Sequence, residues 1–205
     1  MTDLSFWQVI RERRSVRRYR SEPVPRDLVE RVLEAARWAP SAHNRQPWRF
    51  AVLPRGPLRE ELVQRMGEQW ARDLRADGWE EADIAARVSR SQTRLLDAPV
   101  LILVALSRED MDTYPDPRRQ EAEYIMAVQS TAMAGQNLLL AAHALGLGAC
   151  WVCAPLFVPE LVRDILQLPE DWIAQGFITL GYPAEQPQKD RIPLDERVIW
   201  LNGTP

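Results

Sequence analysis

The chain has 205 residues, 46% of them hydrophobic and 27% charged, with a formal net charge of −3. That length suits one domain with its own core, and the mild negative balance argues against general affinity for nucleic acid or anionic membrane. Two cysteines imply no disulfide framework, and the N-terminal MTDLSFWQVIRERRS lacks the basic-then-apolar order of a secretory signal, so a reduced, cytoplasmic protein is expected.

In chain order, Ser5 is placed to N-cap a short helix over Phe6 to Arg13, with Phe6, Val9 and Ile10 on one face. The basic run RERRSVRRYR, Arg11 to Arg20, follows; lysine occurs once in the chain, at Lys189. SEPVPRDLVERVLEAARWAP predicts a second helix, with Pro25 in its first turn, Leu28, Val32, Leu33 and Ala36 as its apolar stripe, and Pro40 as its end. The loop SAHNRQ leads into a strand over Pro47 to Pro54. From Pro57 to about Leu96 the pattern is helical and highly charged, two helices broken near Gly67 or Gly78. APVLILVAL, Ala98 to Leu106, is a continuous apolar run and so a buried central strand, while Pro115 and Pro117 exclude regular structure from SREDMDTYPDPRR.

Ala122 to Leu145, AEYIMAVQSTAMAGQNLLLAAHAL, predicts a helix of roughly 36 Å at 1.5 Å per residue. No Asp, Glu, Lys or Arg occurs from Tyr124 to Pro159, so this helix needs burial on all sides. Gln129, Ser130, Gln136 and Asn137 in mid-segment argue against a membrane span. GLGACWVCAP turns into a short strand, Val158 to Leu168 is a helix, Asp171 to Pro183 a strand, and the remainder an extended tail. Helices and strands alternate without βαβ spacing, which predicts an α+β fold with a mixed sheet.

Three constellations could carry chemistry. Arg13 to Arg17, RRSVR, can hold an anionic oxygen group through charge-assisted bonds, or can be a solvated basic face. Pro40 to Trp48, PSAHNRQPW, offers donors and acceptors for a heterocycle edge, or is a turn whose side chains cap backbone groups. Cys150 and Cys153 form a C-x-x-C, but no second pair completes a zinc site and the only histidines are His43 and His143. In a strand the two cysteines point to opposite faces, which favours packing over redox chemistry. His143, inside the apolar helix, reads as a satisfied core residue, and no Ser/His/Asp triad, Gly-rich phosphate loop or metal site is legible.

Taken together, RRSVRRY, APSAHNRQPWRF, QNLLLAAHALGLGACWV, GYP and KDRIP resemble, in order and over nearly the whole chain, the nitroreductase family of flavin enzymes. The second and third blocks look most like the branch that includes the C-terminal domain of deazaflavin-coenzyme glutamyl ligases. The resemblance implies a single domain over 1–205 with a central, mostly antiparallel sheet flanked by helices. It also implies a helical excursion at about 57–96, an intertwined homodimer, and a tail at about 184–205 that wraps the partner. It implies FMN in two clefts at the subunit interface. Arg13, Arg14 and Ser15 would meet the phosphate and ribityl side, joined by Lys189 and Arg191, with Arg17 near the pyrimidine edge of the ring. Pro40, Ser41 and Ala42 would come from the other subunit, with Asn44 and Gln46 close to the ring. Val152, Cys153 and Ala154 would run past the flavin and offer a backbone N–H toward N5, and Arg94 matches a basic position that reaches the ring in some members. Some members carry Glu-Gly where this chain has Cys153-Ala154, which leaves the flavin-facing segment more apolar here.

The expected activity is therefore an FMN-dependent oxidoreductase in which NAD(P)H reduces the flavin and a small acceptor (nitroaromatic, quinone or enone) then reoxidises it. No catalytic side chain is required, because the flavin carries the chemistry. The alternatives are a redox enzyme acting on a deazaflavin coenzyme or precursor, and a non-catalytic flavin- or nucleic-acid-binding module built on Arg11 to Arg20.

Overall fold

A strand apolar at all but its last position favours the centre of a sheet covered on both faces, and Val100–Ser107 (β2) is buried along its whole length. In the computed structural model, which describes residues 4–109 and 111–201, β2 pairs with Trp48–Leu53 (β1) on one side and Trp172–Gly181 (β4) on the other. Gly148–Val152 (β3) adds to β4, giving the order β1-β2-β4-β3 with every named pair antiparallel. The parallel element of the expected mixed sheet is a single bridge between Ser15 and Ala149.

Successive residues of a strand face opposite sides, and β2 divides two cores accordingly. Val100, Ile102 and Val104 pack with Val32, Ala36, Ala134 and Leu138, from Arg26–Arg37 (α2) and Pro117–Ala144 (α5). Leu101, Leu103 and Ala105 pack with Leu62, Met66, Leu95 and Val162, from Pro57–Ala76 (α3), Glu81–Asp97 (α4) and Pro159–Leu166 (α6). The register slips between Val104 and Ala105, a bulge that keeps Ala174 and Phe177 of β4 in the second core. Phe6–Glu12 (α1) carries a Ser5–Gln8 capping box and buries only Val9 of its expected face.

Several expectations need correction. Pro117 does not exclude regular structure; it is the first residue of α5, where a missing N–H costs nothing, and Asp116 caps it by accepting from the Arg119 amide at 3.0 Å. The break in the charged segment falls at Gly78, with φ +81°, while Gly67 lies inside α3. Gly67 is small for packing reasons: a Cβ there would stand 2.5 Å from Nε2 of Gln92 on α4. The two helices are further tied by Arg59, a buried cation of α3 whose guanidinium donates to the Leu95 and Ala98 carbonyls at the C-terminal end of α4. Burial pulls its pKa down to about 10, so it stays charged at neutral pH and suits that negative helix end.

α5 is not buried on all sides. The sheet and α2 cover part of its circumference, and an uncharged stripe through Ala122, Ile125, Gln129, Ala132, Met133 and Gln136 is left exposed. Ile125 is 45% and Met133 39% exposed. No helix among the described residues is long and apolar enough to cross a membrane.

Candidate functional site

The basic run is drawn against the sheet because the chain leaves α1 in an extended course beside β3. The Val16 amide donates to the Ala149 carbonyl at 3.0 Å. A side chain at Gly148 would press on Val16, with its Cβ 2.8 Å from the nearest methyl, so only glycine permits this approach. The Tyr19 hydroxyl lies 2.6 Å from the Val16 carbonyl and 2.7 Å from the Thr179 hydroxyl, latching the run to β4. Burial pushes the phenol well above its ordinary pKa, so it remains a neutral donor.

Beyond β4 the chain folds back along the same run. The Arg20 amide donates to Tyr182 and the Ala184 amide to Arg18, both at 2.9 Å. Glu185 accepts from the Arg17 and Arg18 amides at 2.7 and 3.2 Å. This return brings Lys189 to a cavity of about 620 Å³ whose lining includes Arg13, Arg14, His143, Gly148 and Lys189. Arg13 has its pKa lowered by burial first, then by the like charges of Arg191 and Arg14. Among the described residues none of Arg13, Arg14, Lys189 and Arg191 is in an ion pair. Glu12, Glu185 and Asp190 also edge the cavity, but Glu185 is engaged by the two amides. Arginine and lysine side chains gathered outside any ion pair can hold an anion such as a phosphate.

The residues differ in how free they are to do so. Arg14 turns back on α1, its Nη1 donating to the Arg11 carbonyl and, at 2.9 Å, to the Arg13 carbonyl, which caps that helix end. Arg17 is exposed and donates to the Ser15 carbonyl at 3.2 Å. His143 is not the satisfied core residue expected: its buried Nε2 has no partner among the described residues, and burial, with Arg13 and Arg14 nearby, lowers its pKa.

The second constellation stands elsewhere. Within 40–46, His43, Asn44 and Gln46 adopt φ of 52°, 54° and 51°, the left-handed region that costs L-residues about 1–2 kcal/mol each. The Ser41 hydroxyl accepts from the Gln46 amide at 3.0 Å, the Ala42 amide donates to the Ser130 hydroxyl at 3.3 Å, and Arg45 pairs with Asp112 at 2.6 Å. Those bonds hold the strained loop against the middle of α5. His143 lies thirteen residues further along α5, so within one chain the loop and the cationic cavity are about 20 Å apart.

The third constellation follows β3. The indole of Trp151 lies between two glycines: a Cβ at Gly135 of α5 would stand 2.3 Å from it, and one at Gly176 of β4, 2.6 Å. Its Nε1 donates to Cys153 Sγ at 3.2 Å. Cys150 is buried and Cys153 exposed, and they are not bonded. Val152 and Cys153 lead into the 3₁₀ turn Ala154–Phe157. Ala154 helps line a second cavity, between α3 and α4, whereas Arg94 on the last turn of α4 lines neither cavity. Local sequence does not reveal the roles of Tyr19, Ser130 and Glu185. Tyr19 lies in the RRSVRRY block, but its acceptors on β4 are distant in sequence, and nothing local marks Glu185 as the acceptor for amides 168 and 167 residues away.

The model of the Nitroreductase family matches residues 10–182, which carry the basic run, the loop, the sheet and the turn after β3. The chain belongs to the nitroreductase family. It is 33% identical to an NADH dehydrogenase of Thermus thermophilus, with 92% of each chain covered. It is 32% identical to 5,6-dimethylbenzimidazole synthase of Rhodospirillum rubrum, over 94% of this chain and 87% of that one. A Desulfovibrio desulfuricans protein solved in complex with FMN is 31% identical, with a TM-score of 0.77 over 99% of this chain and 100% of that one. As a nitroreductase family member the protein is a flavin oxidoreductase.

Proposed function

We propose that this enzyme binds FMN as a homodimer and uses NAD(P)H to reduce a small acceptor such as a nitroaromatic, quinone or enone. The observation that carries the reading is the pair Arg13 and Lys189 lining the cavity beside β3, with Arg191 near enough to lower the Arg13 pKa and none of the three in an ion pair among the described residues, which fits a phosphate dianion in charge and chemistry. FMN, when bound, supplies the redox chemistry by taking a hydride equivalent from NAD(P)H and passing two electrons to the acceptor. The chain's own part is binding and orientation. Arg13, Lys189 and Arg191 hold the phosphate, with Arg14 adding charge while it caps α1. Ser15 meets the ribityl side, and Arg17 offers positive charge to the pyrimidine edge. Val152, Cys153 and Ala154 place a backbone N–H toward the ring.

The separation of about 20 Å between loop and cavity along α5 supports a dimer, in which Pro40, Ser41, Ala42, Asn44 and Gln46 of one subunit face the cluster of the other. The uncharged exposed stripe of α5 supports the same reading, since a C₂ contact would bury it twice over. The tail at 184–201, with Ile192, Leu194, Ile199, Trp200 and Leu201 exposed, has the apolar surface that wrapping a partner would cover.

The test is spectroscopic. Purified protein supplied with FMN should become yellow at one flavin per subunit and bleach anaerobically on adding NADH or NADPH. Protein that takes up no FMN would overturn the reading. Bleaching reversed only by a deazaflavin would transfer it to the coenzyme-specific alternative.

A further inference from the structure

The second cavity, about 350 Å³, lies outside the phosphate cluster and is built by the α3–α4 hairpin. One face of α3 lines it: Val63, Met66, Gly67, Trp70, Asp73 and Asp77, at helical spacings of three and four. Along that face the wall changes from buried apolar residues through an indole to two carboxylates at the exposed end. α4 contributes Ser91, Gln92 and Leu95, and the turn after β3 contributes Ala154, Phe157 and Val158. Phe157 is 82% exposed and Trp70 38%, so two aromatic rings flank the cavity with much of their surface still open to solvent.

The charge is selective. α3 and α4 together carry seven arginines, yet none of them lines the cavity, and among the described residues its charged lining is Asp73 and Asp77. Neither carboxylate is in an ion pair among the described residues; Asp73 accepts only from Gln69, at 2.7 Å. Aromatic faces and unpaired carboxylates both favour a cation, and the apolar depth favours a flat hydrocarbon body.

We propose that this cavity seats the body of the acceptor, and that it selects small aromatic molecules bearing a positive charge over neutral or anionic ones. The inference rests on the flavin reading for its link to turnover, because Ala154 belongs both to this wall and to the segment assigned to the flavin. The cation would lie between Asp73, Asp77 and the Trp70 face, with the ring reaching toward Ala154.

The test uses FMN-loaded protein, NAD(P)H, and three nitroaromatics of similar size: (4-nitrobenzyl)trimethylammonium, 4-nitrobenzyl alcohol and 4-nitrobenzoate. KM should rise in that order, by about tenfold from cation to anion at low salt, and the spread should shrink as salt is added. Replacing both Asp73→Asn and Asp77→Asn should raise KM for the cation about fivefold, the scale of two screened charges, and leave the neutral alcohol unchanged. Ser91→Phe should fill the cavity and raise KM for all three, without altering the rate at which NAD(P)H bleaches the flavin. Calorimetry with benzyltrimethylammonium reads the cavity apart from turnover: binding to the parent, abolished by Ser91→Phe, is the expected result. No binding, or a charge preference that survives both variants, overturns the proposal even where the flavin is reduced normally. Failure to bind or reduce FMN would overturn the flavin reading instead, while calorimetry still decides the cavity.

Discussion

Arg13 is the residue on which the phosphate assignment turns. Burial first, then the like charges of Arg191 and Arg14, depress its pKa, and it is in no ion pair among the described residues. A bound phosphate would reverse the sign of that interaction, so each lost charge-assisted bond should cost about 1.5–3 kcal/mol. Arg13→Ala and Arg191→Ala should each raise the FMN dissociation constant by about tenfold to a hundredfold, measured by fluorescence titration. Both variants binding as tightly as the parent would remove these residues from the site. Arg14→Ala should act differently, lowering stability as well as affinity, because its guanidinium also closes the end of α1.

At the scale of elements, the approach of β3 to α5 depends on removing side chains opposite one ring. Trp151 fills the space that Gly135 and Gly176 leave, and its N–H reaches Cys153 at the start of the next turn. Gly135→Ala should therefore destabilise the fold by about 1–3 kcal/mol in urea unfolding, although alanine is the better helix former. Combining it with Trp151→Leu should cost less than the sum of the two single changes, the signature of direct contact. Additive costs would mean that the ring and the helix do not meet. The same logic explains Gly67, which lets α3 and α4 close at the floor of the second cavity.

For the whole molecule, α5 is both core and surface. Its inner residues join one of the two hydrophobic clusters, while Ile125 and Met133 stand open on the other side. A charge placed in that stripe would have to be desolvated on association, so Met133→Arg should yield a monomer in light scattering. Because the loop and the cationic cavity of one chain lie about 20 Å apart, that monomer should also lose its FMN. A monomeric variant that keeps flavin would show that one chain completes the site.

Local pattern alone determined the buried strand β2, the helical course of α5 and the order of the motif blocks, because burial and periodicity are written in neighbouring residues. The helix caps are half legible: Ser5 shows itself, whereas Pro117 looks like a breaker because a proline that ends structure and one that begins a helix look alike until the cap is seen. Tertiary structure decided the rest. The strand order β1-β2-β4-β3, the bulge at Val104, the latch of Glu185 onto Arg17 and Arg18, and the exposed side of α5 all depend on contacts between distant residues. The division of the site into a cationic cavity and a strained loop is of the same kind, since only the length of α5 between Ser130 and His143 sets them apart.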